Sequence, residues 1–194
     1  LPETSRGILG VISGPSGSGK TSICRALARD PRVFFSVSAT TRPRRPGEVE
    51  GRDYIFLPEE TFLSMVERGE FLEWAQYNGR YYGTPRKPVE EGLREGKTVL
   101  LEIELQGATK LREAGVEGIY VFIEPPSMEV LEERLRKRGT ETEEEIRKRL
   151  GIARREWEEA RRGRVYDHFV RNDDLARAVE EVRALLGLSG EGDG

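Results

Sequence analysis

The feature that most narrows the fold is a continuous apolar run, Ile8 to Ile12, that breaks into Gly14-Pro15-Ser16-Gly17-Ser18-Gly19-Lys20-Thr21. An unbroken apolar run of this length reads as a strand buried on both faces, the usual condition of a parallel sheet. The octet matches the spacing G-x-x-x-x-G-K-[ST], and a helical pattern from about Lys20 to Arg29 follows, closed by Asp30-Pro31. Strand, glycine-rich turn and helix form the context in which this spacing cradles phosphate. The glycines let backbone N–H groups turn inward, the helix N-terminus adds positive potential, a lysine reaches the outer phosphates and a hydroxyl can ligate Mg²⁺. Gly14, Pro15, Ser16, Gly17, Ser18, Gly19, Lys20 and Thr21 are therefore the expected ATP-binding residues, with Lys20 catalytic and Thr21 a metal ligand.

Further apolar runs at Val99 to Ile103, Ile119 to Ile123 and around Phe169 to Arg171 alternate with helical patterns at Ala108 to Glu113 and Met128 to Arg138. This alternation predicts an α/β fold with a parallel sheet flanked by helices. From about Phe35 to Pro88 the rhythm is lost, so that stretch reads as an insertion. Inside it, Asn78-Gly79 lies between Phe71 to Tyr77 and Arg80 to Gly83 and suits the positive φ angles of a type I′ hairpin turn. Thr142, followed three residues later by Glu145, forms a capping box that opens a highly charged helix. Asp173 is the expected cap of a last helix, Leu175 to Leu186.

The chain has 194 residues, enough for one domain with a sizeable core and few for two. Its 32 Lys and Arg nearly cancel its 35 Asp and Glu, leaving a net charge of −3, which argues against a general nucleic-acid binder or a membrane-surface protein. No apolar stretch is long enough to span a membrane, and Leu1 to Gly7 is polar, unlike a secretory leader. A lone cysteine, Cys24, allows no internal disulfide, so a reducing cytoplasm is expected, with Cys24 packed against the sheet. His168 has no second histidine or cysteine cluster with which to build a metal site or a nucleophilic triad.

Arg42 and Arg45, stiffened by Pro43 and Pro46, suit a bidentate clamp for a second phosphate group, with Tyr54 adding a hydroxyl; a solvated basic loop is the plain alternative. From Ser38 the pattern Ser38-x-Thr40-Thr41-Arg42-x-x-Arg45-x-Gly47-Glu48-x-x-Gly51-x-Asp53-Tyr54 resembles the acceptor-binding signature of guanylate kinases. Phe71 to Ala75 with Tyr82-Gly83-Thr84 is similar to that family's base-binding hairpin, and Gln106-Gly107-Ala108 to its mid-chain motif. Arg138 to Glu143 and Asn172-Asp173 are similar to its lid and late motif. The matches run in order from Gly10 to about Leu186.

The resemblance implies a P-loop kinase core (about 7–35, 89–126 and 151–187), a GMP-binding insertion of mixed α/β structure (about 36–88) and a helical lid (about 127–150), with a disordered tail at 188–194. It implies that Arg42, Arg45, Tyr54 and Tyr82 hold the GMP phosphate, and that Ser38, Glu73, Thr84 and Glu102 read guanine. It further implies that Glu104 lies near Mg²⁺ through water, that Asn172 borders the ATP adenine, and that Arg42, Arg138 and Arg149 join Lys20 in catalysis. The family usually shows Asp-x-Asp where this chain has Glu102-Ile103-Glu104, so charge is kept while the side chains lengthen. Arg134, Arg147, Arg154 and Arg155 read as charged helix faces.

The expected activity is transfer of phosphate from ATP to GMP or dGMP in purine metabolism. The substrates are small molecules, with no obligatory protein partner. Two rivals share features of the pattern: a guanylate-kinase-like interaction module, which typically lacks a working phosphate loop, and a kinase with another acceptor, against which Glu73 and Thr84 argue.

Overall fold

Within each central strand, alternate residues face opposite layers, so a run of consecutive apolar residues supplies two cores at once. A computed structural model describes residues 7–137, 139 and 141–190. Its principal sheet is built from β1 (Ile8–Ser13), β2 (Val33–Phe35), β7 (Thr98–Glu102), β8 (Ile119–Glu124) and β9 (His168–Arg171) in the order β2-β7-β1-β8-β9, every pair parallel. Ile12, Leu100, Val121 and Ile123 point to one face, where they meet Ile23, Cys24 and Leu27 of α1 (Lys20–Leu27) and Val179 and Val182 of α7 (Leu175–Leu185). Leu9, Val11, Val99, Leu101, Tyr120 and Phe122 point to the other, against Val89 and Leu93 of α3 (Arg86–Arg94) and Leu111 of α4 (Leu105–Glu113). The buried Cys24 joins the first of these cores, as its sequence position predicts. His168 is exposed at the start of β9.

The inserted stretch folds on a smaller sheet with the order β4-β3-β6-β5, formed by β3 (Ala39–Thr40), β4 (Ile55–Phe56), β5 (Phe71–Tyr77) and β6 (Arg80–Pro85). The hairpin turns at Asn78 (φ 50°) and Gly79 (φ 74°), both left-handed, as the type I′ reading requires. Its own core is aromatic: Phe62 of α2 (Glu59–Glu67) stacks on Phe71 at 4.3 Å and on Tyr81 at 5.5 Å between ring centroids. Gly83 makes this possible, because a Cβ there would lie 2.8 Å from the Phe71 ring.

α5 (Met128–Lys137) and α6 (Glu143–Arg162) pack on Leu131, Leu135, Ile146 and Ala153. The Thr142 and Glu145 capping box that opens α6 is present in both directions, so two helix-end N–H groups are satisfied. α3 runs through residue 88, and α6 runs unbroken through residue 150. Two expectations are corrected. Asp174 caps α7, accepting the Arg177 N–H at 2.8 Å, while Asp173 pairs with the Arg177 side chain. Leu188, expected in a loose tail, is buried in the first core, and its carbonyl accepts from Arg32 at 3.0 Å; residues 191–194 lie outside the described residues.

Because Phe62 is fully buried and contacts both strands of the hairpin, Phe62→Ala is expected to destabilise the protein by about 3–5 kcal/mol in denaturant unfolding. A loss below about 1 kcal/mol would show that the aromatic cluster does not hold the smaller sheet.

Candidate active site

The phosphate loop leaves the carboxyl end of the central strand β1 and enters α1, so its backbone is set by the sheet behind it. Gly17 (φ 86°) and Gly19 (φ 89°) adopt left-handed conformations that other residues strain to reach. Three side chains hold that shape. The Asn172 side chain donates to the Ser18 carbonyl at 2.8 Å, and Arg134 of α5 donates to the carbonyls of Gly17 and Asn172, both at 3.2 Å. Lys20 Nζ donates to the Gly14 carbonyl at 2.8 Å, folded over the loop. Asn172 is buried and braces the loop. Arg134, expected to be a solvated charge, is a loop anchor; it lies three residues after buried Leu131, on the apolar face of α5, which was the available signal.

Opposite the loop, a cleft of about 910 Å³ is lined by Ser16, Lys20, Thr21, Ser38, Arg42, Arg45, Tyr54, Glu73, Tyr82, Glu102, Glu104 and Arg149. Residues drawn from both sheets and from α1 and α6 therefore meet in one space. Arg138 lies outside the described residues.

On the acceptor wall, Arg42 forms a two-bond ion pair with Glu48 and lies with its Cζ 5.2 Å from the Tyr54 ring centre and 5.8 Å from that of Phe56. Tyr54 and Tyr82 pack edge to face at 6.1 Å. Burial, helped by neighbouring negative groups, pushes the Tyr54 phenol up to about 12, so at neutral pH it remains an O–H donor. Arg25 of α1 bonds Asp53 at 2.9 Å, tying the acceptor wall to the helix that carries the phosphate loop.

Glu73 sits across from Thr84 in the hairpin, and the Thr84 hydroxyl donates to Glu73 Oε1 at 2.8 Å. Thr84 is fully buried behind Glu73, so its hydroxyl orients the carboxylate. The other oxygen, Oε2, nests where a Cβ on Gly107 would come within 2.9 Å, which gives the glycine of the Gln106-Gly107 motif a physical purpose. Desolvation raises the Glu73 pKa, and the Thr84 hydrogen bond and Lys110 oppose that rise.

Glu102 lines the cleft and meets the phosphate loop: Thr21 Oγ1 donates to Glu102 Oε1 at 2.5 Å. Glu102 is the last residue of β7, the strand that pairs with β1. Glu104 is the N-cap residue of α4 and lines the same cleft. Glu156 of α6, not singled out in the sequence, also lines it, and burial, then Glu104, pushes its carboxyl up to about 7. Arg149 pairs with Glu141 at 2.7 Å. Among the described residues no group of three or more His, Cys, Asp or Glu forms a metal cage, and no helix is long and apolar enough to cross a membrane. The arrangement can hold two anions facing each other, one on backbone amides and a lysine, the other on two guanidiniums, with a desolvated carboxylate beside the second.

Comparison with known proteins gives a consistent result. A family model described as guanylate kinase matches residues 6–188. A guanylate kinase of Carboxydothermus hydrogenoformans is 50% identical over 182 residues, covering 93% of this chain and 88% of that protein. One of Symbiobacterium thermophilum is 50% identical over 187 residues, covering 96% and 87%. Among solved structures, the guanylate kinase of Anaplasma phagocytophilum superposes with a TM-score of 0.75 at 33% identity, covering 97% of this chain and 89% of that one. A gluconokinase of Sinorhizobium meliloti, with a TM-score of 0.50 at 24% identity over 94% and 92% of the two chains, shares the fold.

The raised Glu73 pKa carries a sign that can be measured. The folded state binds this proton more tightly than the unfolded state, so ionising Glu73 costs stability, and the cost grows as pH rises above the ordinary carboxylate value of 4.5. Glu73→Gln is expected to melt above the wild type at pH 7, with the gap closing as pH falls below that value. A variant that melts lower at pH 7 would show that the carboxylate is stabilised where it sits.

Proposed function

The chain belongs to the guanylate kinase family and is a guanylate kinase enzyme, and from that premise we propose that its residues move the terminal phosphoryl group of ATP onto GMP, and onto dGMP, by in-line transfer. The observation that carries this reading is the single cleft with Lys20 and Thr21 on one wall and Arg42, Arg45 and Glu73 on the other. In this reading the triphosphate lies along Gly14 to Thr21, its oxygens bonded by inward N–H groups. The Lys20 ammonium exchanges the Gly14 carbonyl for the outer phosphates. The GMP phosphate lies on Arg42 and Arg45, with the Tyr54 and Tyr82 hydroxyls beside it.

The attacking atom is an oxygen of a phosphate that is already ionised, so no general base is needed. Positioning and positive charge carry the rate. Lys20 and Arg149, with Arg138 in the same role, stabilise charge on the equatorial oxygens; Arg149 would leave Glu141 to do so. Thr21 and Glu102, with Glu104 through water, form a hard-oxygen set that fits Mg²⁺, whose charge would offset that of the β- and γ-phosphates.

Glu73 reads the base. Guanine presents adjacent N1–H and N2–H donors to a carboxylate already desolvated and fixed by Thr84, whereas adenine would turn a lone pair toward it. Ser38, which lines the same wall, contacts the base edge. No proposed contact uses the ribose 2′-hydroxyl, which is why dGMP is included. We assign residues 36–88 as the acceptor-binding part and 127–150 as a closing lid, α6 carrying Arg149 into the core. Recycling of purine nucleotides in the cytoplasm is the setting this chemistry suits, and the buried thiol of Cys24 is compatible with a reducing compartment.

The test is ADP formation from ATP and Mg²⁺ with GMP, dGMP, AMP, CMP or UMP. GMP and dGMP are expected to be used; Lys20→Ala is expected to lower kcat by about 10²–10³-fold. Glu73→Gln is expected to lower kcat/KM for GMP by about tenfold or more, from loss of a charge-assisted hydrogen bond. Turnover that is indifferent to the base, or absent with folded protein, would overturn the reading.

A further inference from the structure

A guanidinium has five N–H donors, and those that the protein itself occupies decide which edge is left for a ligand. For Arg42 three are taken. Nη2 donates to Glu48 Oε1 at 2.7 Å, while Nη1 donates to Glu48 Oε2 at 3.0 Å and to the Pro43 carbonyl at 2.9 Å. What remains is the Nε–H and the outer N–H of Nη2, two parallel donors on one edge, the pair that binds a carboxylate or phosphate side-on. The flat face is covered by the Tyr54 and Phe56 rings, so the guanidinium is fixed in plane as well as in direction.

Glu48 also reaches the second arginine. Its Oε2 accepts the Arg45 backbone N–H at 2.8 Å, its own N–H donates to the Arg45 carbonyl at 3.1 Å, and its carbonyl accepts from the Arg44 side chain at 3.1 Å. Gly47, at φ 86°, lets the chain double back so that a residue six positions on can return to Arg42. The Glu48 carboxyl is held below its ordinary range chiefly by Arg42, so it stays ionised across the working pH range.

We propose that Glu48 is a positioning residue for the acceptor phosphate: it binds the end of Arg42 so that only the Nε and Nη2 edge is offered, and it fixes the loop that presents Arg45. The inference rests on the proposed assignment of Arg42 and Arg45 to the GMP phosphate. It assigns Glu48 no contact with substrate. Its effect is to remove, before binding, the orientational freedom that a long arginine would otherwise lose on meeting the phosphate.

The test separates phosphate recognition from base recognition. Wild type, Glu48→Gln and Glu48→Asp are assayed for KM of GMP, KM of ATP and kcat, with guanosine measured as a competitive inhibitor against GMP and melting curves recorded for each. Glu48→Gln is expected to raise KM for GMP by about tenfold or more while KM for ATP and the guanosine inhibition constant change by less than about twofold. Glu48→Asp keeps the charge but reaches less far, so its loss is expected to be smaller. Combining Glu48→Gln with Arg42→Lys should add less than the product of the single effects, because both act through one group. An unchanged KM for GMP, or an equal loss for guanosine, would overturn the proposal; if Glu48→Gln does not fold, the same comparison is read from Glu48→Asp. Failure of wild type to use GMP at all would instead remove the reading on which the proposal rests.

Discussion

A phosphate loop works only while its backbone N–H groups stay turned inward, and nothing within eight residues can enforce that alone. Here the central strand β1 sets where the loop starts, and α1 sets where it ends. Asn172 from just beyond β9 and Arg134 from α5 hold the carbonyls of Ser18 and Gly17. A Cβ on Gly19 would lie 2.2 Å from the Asn172 amide, so the glycine serves the brace as well as the turn. The anchoring of Arg134 also joins the packed α5 and α6 pair to the loop.

Around that loop, three arginines of the cleft are each partly occupied by a carboxylate from the protein. Glu48 holds Arg42, Glu141 holds Arg149, and Asp53 holds Arg25. The three pairs differ in consequence. The Arg42 pair is two-bonded and leaves a usable edge, so it can persist when substrate arrives. The Arg149 pair has to yield part of its contact if that arginine is to reach a phosphate, and the Arg25 pair bridges core and insertion without facing a reacting group. Elsewhere, Asp30 collects Arg32 and Arg183, which hold its carboxyl far below the ordinary range and pin the end of α7 to the turn after α1.

What could be read from sequence follows from how local each signal is. The core strands were visible because burial on both faces demands consecutive apolar residues, and the hairpin because Asn78-Gly79 suits positive φ angles. The capping box of α6 was equally local. α2 and α3 went unread: each begins after a proline without a side-chain cap, Pro58 and Pro85, and so carries no start signal of the Thr142 kind. Asp173 and Asp174 are interchangeable as sequence signals, and only the backbone path decided between them. In the site, residues that line the cleft were mostly legible. The supporting contacts were not: Thr84 on Glu73, Gly107 beside it, and Asn172 and Arg134 on the loop join segments apart in sequence.

If one cleft presents two anions to each other and reads the acceptor by its base, a crystal structure with Mg²⁺, a non-hydrolysable ATP analogue and GMP bound together will show it. The expected result is the triphosphate wrapped by residues 14–21, the GMP phosphate on the Nε and Nη2 edge of Arg42 and on Arg45, and guanine N1–H and N2–H on Glu73. A GMP bound with its base away from Glu73, or its phosphate out of line with the terminal phosphate of the analogue, would contradict it.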